Sequence, residues 1–388
     1  MALTFLPSLQ HISAVRVALN IYNDYIIQLC EELVQTDLIY VAGRYFRICK
    51  MQEQWISDSK KKARNNLPKR FPKSLEKRIA NIFQPLVDEI NFWFRDHFKI
   101  IKHVEKSQHT NILCWKSEGT IDRTKTAKQL VRNESIDKRV RFAMACIYFL
   151  ENDVLNLWLS MSEYDRQSIF RIDSNIAVLF WIRWLRKNGA SLWTRCVTEC
   201  LRFDFLEPIF RDNTQEIGRV RLSSFFIALN TSDKSFFLDS LWPRHAHVDD
   251  LRLCYNLLDE TERAKIFPSN SKTINALCCY LHWPLQSLFL DVVNKVRNHL
   301  TPYCIEGTLK YIFYKKLLRG KQDFDYLQLF KDFWNETPGE DKEKIRKKSC
   351  FILLRAAMSY DEKTHPLPIE EFLMECYNFV TGLPPIRR

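Results

Sequence analysis

Glycine is scarce in this 388-residue chain, with eight residues where average usage near 7 % would place more than three times as many. Tight sheet turns and phosphate-cradling loops need positive φ, where glycine is the usual occupant, so the scarcity excludes a fold dominated by either. The sequence also lacks Gly-x-Gly-x-x-Gly, Gly-Lys-Ser/Thr, His-Glu-x-x-His and Gly-x-Ser-x-Gly. No motif-based reason to propose an enzyme remains, and a non-catalytic protein is the expectation. A long apolar run is missing too. The longest uncharged stretch, 273–290, carries Asn275, His282, Pro284 and Gln286, and reads as a buried helix hairpin turning at Trp283-Pro284. At the N-terminus no basic region precedes the apolar residues, and His11 and Arg16 interrupt them. The expectation is an intracellular protein, cytoplasmic or nuclear, with no membrane partner.

What the chain has in quantity is aromatic and cationic. Its 27 Phe and 10 Trp suit wide helix–helix seams and exclude a predominantly disordered chain. Twelve cysteines sit mostly among apolar neighbours at helical spacing and read as reduced core residues. Apolar side chains keep one helical face at Val15, Ala18, Tyr22 and Ile26, at Ile79, Phe83, Leu86, Ile90 and Phe94, and at Leu309, Ile312, Phe313 and Leu317. Strand-like alternation is nearly absent, so the fold class is all-α.

Short breakers such as Asp212-Asn213-Thr214, Arg319-Gly320 and Thr337-Pro338-Gly339 cut the later chain into helix pairs of about forty residues. Arg139 to Asp153 (RVRFAMACIYFLEND) is echoed by Arg219 to Asp233 (RVRLSSFFIALNTSD), with Arg, Val, Arg, Ile and Asp in register. The pattern predicts a degenerate helix-pair repeat, an ankyrin- or HEAT-like α-solenoid, over 111–383. A helical N-terminal module over 1–110 precedes it, and 384–388 is expected to fray.

Gly119-Thr120-Ile121-Asp122-Arg123, Asn133-Glu134-Ser135-Ile136-Asp137 and Asp323-Phe324-Asp325-Tyr326 carry a further clue. With the residues that follow them they resemble a family of uncharacterised helical, ankyrin-like proteins of spiders and other arachnids. The resemblance spans roughly residues 110–380; it implies a helical repeat fold and no particular activity.

Three groups are candidates for function. Between Ser57 and Arg78 nine cations, among them Lys60, Lys61, Lys62, Arg64, Lys69, Arg70 and Lys73, face two carboxylates, a net +7 within a chain of +12. That concentration has three readings: a solvated inter-helix loop, a bipartite nuclear-import signal, and contact with nucleic-acid phosphates. Arg183, Trp184 and Arg186 are the candidate surface anchors for a protein partner, the favoured partner class. His245-Ala246-His247-Val248-Asp249-Asp250 approximates a paired-zinc motif, with His245, His247 and Asp249 as its ligands. Asp250 replaces the final histidine, and the string runs into a helix that would use Asp249 or Asp250 as a cap or first-turn carboxylate. No metal and no cofactor are expected. The favoured function is a non-catalytic interaction scaffold; the alternative is a nucleic-acid-associated protein using 57–78.

Overall fold

A computed structural model of the protein describes residues 7–27, 72–104, 112–169, 172, 175–187, 192–206, 219–240, 246–321, 323–348 and 351–359. Seventeen α-helices occur among them and no strand; one isolated antiparallel bridge joins Trp115 to Ile121. The fold is therefore all-α. The chain forms two compact units, Leu6–Leu257 and one beginning at Leu258, so residue 110 falls inside the first.

Among the described residues the first unit holds ten helices: α1 Leu9–Ile21, α2 Lys73–Ile101, α3 Arg123–Arg132, α4 Lys138–Ile147, α5 Glu151–Ser160, α6 Glu163–Ser168, α7 Ile176–Arg186, α8 Trp193–Leu206, α9 Thr231–Ser240 and α10 Val248–Leu257. The predicted apolar faces are the buried ones: Val15, Ala18 and Tyr22 of α1 and its C-cap meet Ile79, Phe83 and Leu86 of α2 within one core. Helix starts follow short polar side chains that accept an otherwise unmet backbone N–H: Asp122 from Lys125, Asp137 from Arg139, Ser162 from Asp165 and Asn175 from Ala177. Helix α4 ends in a Schellman arrangement, Leu150 N donating to Ala145 O at 3.0 Å and Phe149 N to Cys146 O at 3.1 Å. The residue in the left-handed conformation there is Phe149, at φ 51°, where glycine is usual.

That exception has a tertiary cause. The Phe149 ring sits among Phe225, Trp193, Trp181 and Phe180, with centroids at 4.6, 5.5, 5.9 and 6.2 Å. Burial of a large ring in an aromatic cluster contributes more than the strain of about 1 kcal/mol that the backbone carries.

The two echoed segments lie against each other in this cluster. Phe149 meets Phe225, Arg221 N donates to Ile147 O at 3.2 Å, and Ser224 Oγ donates to Tyr148 O at 3.0 Å. Their second halves match: α5 and α9 begin and end at positions offset by the same 80 residues as the echo. Their first halves differ. Arg139–Ile147 is α-helical, whereas Leu222–Ser224 and Phe226–Ala228 are short 3₁₀ turns.

The second unit contains α11 Glu260–Ile266, α12 Asn270–Cys279, α13 Phe289–Lys295, α14 Pro302–Ile312, α15 Tyr326–Glu336, α16 Gly339–Arg346 and α17 Phe351–Ser359. Helix α14 packs on α12, α15 and α16, and Leu309, Ile312 and Phe313 are fully buried there. The chain turns after α12 at Trp283-Pro284, as its composition predicts. Gln286 donates to Asp323 Oδ2 at 2.7 Å and to the Tyr326 hydroxyl at 2.9 Å, which donates to Asp323 at 3.0 Å. This polar junction ties the turn to the start of α15, which Asp325 caps. Among the described residues no helix is long and apolar enough to cross a membrane.

Candidate functional site

The densest chemistry in the first unit is a buried charge network, assembled from five stretches of sequence. Helix α2 places Glu89, Trp93, Asp96 and His97 at spacings of four, three and one, which put them on one side of the helix. The turn over 114–122 supplies Arg123: Asp122 N donates to Cys114 O at 2.7 Å, Lys116 N to Thr120 O at 2.8 Å, and Gly119 takes φ 91° between them. A side chain at that φ would be strained, so this is a position where glycine is needed. The extended residues before Leu222 bring Arg219 and Arg221; the first turn of α10 brings Asp249 and Asp250; the end of α4 brings Tyr148.

Arg123 Nη1 donates to Asp96 Oδ2 at 2.7 Å, and both side chains are almost fully buried. Arg219 Nε stands 2.6 Å from the other oxygen, Oδ1; its N–H is not aligned with that oxygen, so the contact is ionic and not a hydrogen bond. Arg219 Nη1 donates to Ala246 O at 2.8 Å. Arg221 faces Asp250 at 3.3 Å and Asp249 at 3.5 Å, and Arg252 Nη2 donates to Asp249 at 2.7 Å. Asp250 also accepts the backbone N–H of Leu222 at 2.6 Å and of Ser223 at 3.1 Å. An aspartate from α10 thereby caps the 3₁₀ turn that begins at Leu222.

His97 is buried, with Nδ1 2.7 Å from Trp93 O and Nε2 3.0 Å from the Tyr148 hydroxyl. A carbonyl only accepts, so Nδ1 carries the proton and Nε2 accepts from Tyr148. Burial pulls His97 down to about 4, which keeps the ring neutral. Burial pushes Glu89 up to about 7 against the pull of Arg123 and the N–H of Ile121, which donates to it at 3.2 Å. Burial also works against ionisation of Asp249, but Lys116, Arg221 and Arg252 outweigh it and hold that carboxyl well below the ordinary range.

Glu89 and His97 act on stability with opposite sign. The raised Glu89 contributes fully below its ordinary 4.5, and the contribution is lost as pH rises through about 7. The depressed His97 contributes fully above its ordinary 6.5, and the contribution is lost as pH falls through about 4. Between these limits the two slopes cancel. Glu89→Gln removes the falling one, so this variant is expected to gain about 2 kcal/mol more than the native chain between pH 4.5 and 6.5. Urea denaturation at both pH values checks it; parallel curves for the two proteins would contradict the assignment.

The residues singled out in the sequence are placed as follows. Lys60, Lys61, Lys62, Arg64, Lys69 and Arg70 lie outside the described residues, as does His245. Lys73 and Lys77 are exposed at the start of α2, and Arg78 donates to Gln10 at 3.2 Å. Arg183 and Arg186 are exposed on α7, while Trp184 is half-buried with its ring edge-on to Trp181 at 5.6 Å. His247 Nδ1 accepts the N–H of Asp249 at 3.2 Å, so the zinc-like string supplies a helix start, and its two aspartates face arginines. Among the described residues no three His, Cys, Asp or Glu side chains stand together as metal ligands. Cys146, Cys254, Cys278, Cys279 and Cys304 are buried and in no disulfide, with Cys278 pushed up to about 12 by burial.

Asp96, Arg123, Arg219 and Arg221 were not foreseen as a group. Partial signals existed: both arginines of the second echo and the Arg123 of the Gly119–Arg123 stretch belong to the network. Nothing local pairs them with Asp96. Compared with known protein families, with curated proteins and with solved structures, the chain has no match.

Proposed function

We propose that this protein is a non-catalytic interaction scaffold whose helix pairs form a degenerate repeat and whose exposed corners bind a protein partner. The equal offset of α5 and α9 supports the repeat. The observation that carries the binding role is the α5–α6 corner, where Leu159 is 75 % and Tyr164 69 % exposed. At the same corner the Arg166 guanidinium lies over the Trp158 ring at 4.8 Å and donates twice to Trp158 O, at 2.9 and 3.2 Å. The capping box of Ser162 and Asp165 fixes the turn that joins these residues. Tyr, Trp and Arg held in a fixed geometry beside an exposed Leu are the side chains that dominate measured interface energies. Rigid presentation lowers the entropic cost of binding.

The test uses full-length protein recovered from its own cells, with nuclease, beside the double variant Leu159→Ala/Tyr164→Ala. Both residues are exposed, so the variant is expected to melt with the native chain. A nuclease-resistant protein partner is expected with the native chain and reduced about tenfold or more with the variant. A partner retained equally by the variant, or co-purifying nucleic acid that nuclease removes with everything else, would refute this reading. The second outcome would turn attention to the basic stretch 57–78.

A further inference from the structure

The second unit holds a pocket of about 70 Å³ lined from α13, α14, α15 and the connections between them, with Val293, Leu300, Ile305, Phe333 and Pro338 in its wall. Val293 is 3 % exposed and Ile305 and Phe333 1 % each, so the pocket reaches down to core side chains. Packed interiors leave few voids larger than one water molecule, and this one has room for roughly five. Solvent or a ligand fills such a space.

Water is the poorer occupant, because it is held in a recess by two or more polar partners. Among the described residues of the wall Thr337 carries the uncharged polar side chain, and its hydroxyl proton is already donated to Phe333 O at 2.9 Å. The other polar side chains there are Arg297, Glu336 and Asp341. Arg297 faces Glu336 at 3.7 Å and donates to Asn294 Oδ1 at 2.7 Å, and Asp341 faces Lys344, outside the wall, at 3.8 Å. The Arg297 and Glu336 side chains are exposed, so their charge stands on the solvent side of the pocket and the apolar wall on the core side.

The two ion pairs, Lys344 included, sum to no net charge. Neither an anion nor a cation is drawn in. We propose that this pocket is a binding site for a small uncharged molecule with a branched alkyl group of about four or five carbons, seated against Val293, Ile305 and Phe333. The inference is independent of the protein-binding role proposed above.

The probe is isobutanol, titrated into the full chain with ¹³C-labelled Ile, Leu and Val methyl groups. Saturable shifts are expected at Val293, Leu300 and Ile305, with a Kd of about 1–10 mM for burial of so small an alkyl group. Isobutylamine and isovalerate carry the same alkyl group with a positive and a negative head, and are expected to bind no more tightly. In Val293→Phe, where a ring takes up the space, the shifts at Leu300 and Ile305 are expected to fall about tenfold or more. Undiminished shifts in a folded Val293→Phe would overturn the proposal. Should that variant fail to fold, the native chain decides alone. Equal shifts at methyl groups throughout the chain, no saturable shift up to about 50 mM, or tighter binding of either charged analogue would each refute it.

Discussion

Asp96→Asn is expected to lower the unfolding free energy by about 3–5 kcal/mol, the cost of removing one charge from a buried pair. The carboxylate is almost fully buried and faces two guanidiniums, of which Arg123 is equally buried and Arg219 is partly open to water. Most of the loss is therefore assigned to Arg123, which would keep a charge in a low-dielectric site without its hydrogen-bonded counterion. The amide still accepts one hydrogen bond, so shape is conserved and the effect reports charge. In the double variant Asp96→Asn/Arg123→Met the stranded charge is gone, and more than half of the lost stability is expected to return. Urea titration of the three proteins measures this. A single variant within about 1 kcal/mol of the native chain would mean that the pair does not hold α2 to α3.

Phe149→Ala is expected to cost about 3–5 kcal/mol, the range for emptying a buried aromatic site. The ring is the hub on which Phe225, Trp193, Trp181 and Phe180 converge, and these come from three other parts of the unit. The backbone adds a sharper test. Ordinarily glycine is less stable than alanine in the interior of a helix, by the backbone freedom it loses on folding. At φ 51° the order should invert, because alanine keeps the left-handed strain and glycine does not. Phe149→Gly is expected to unfold at a higher denaturant concentration than Phe149→Ala, by about 1 kcal/mol. The usual order would show that the strain is absent.

The echo of Arg139–Asp153 in Arg219–Asp233 shows where local reasoning stops. Its second half gives α5 and α9 with matching limits, since helix formation after a polar start depends on neighbours within one or two turns. Its first half gives an α-helix once and 3₁₀ turns once. Ala143, Met144 and Ala145 favour the helix. Ser223, Ser224, Phe225 and Phe226 favour it less, and Asp250, 28 residues away, captures the N–H groups of Leu222 and Ser223. A contact from outside the segment decides between the two forms.

The sequence by itself determined the helical class, the buried faces of α1, α2 and α14, and the aspartate, serine and asparagine starts of helices. Each depends on the 3.6-residue period or on a hydrogen bond reaching two or three residues. It also isolated Arg219, Arg221 and Asp249 within patterns that had other readings. Only the tertiary structure decided that Asp96 would lie between Arg123 and Arg219, that Asp250 would cap a distant turn, and that Phe149 would accept a conformation suited to glycine. Those outcomes depend on which surfaces are removed from water together. Charge pairing in a low-dielectric interior is set by through-space distance, which spacing along the chain does not encode.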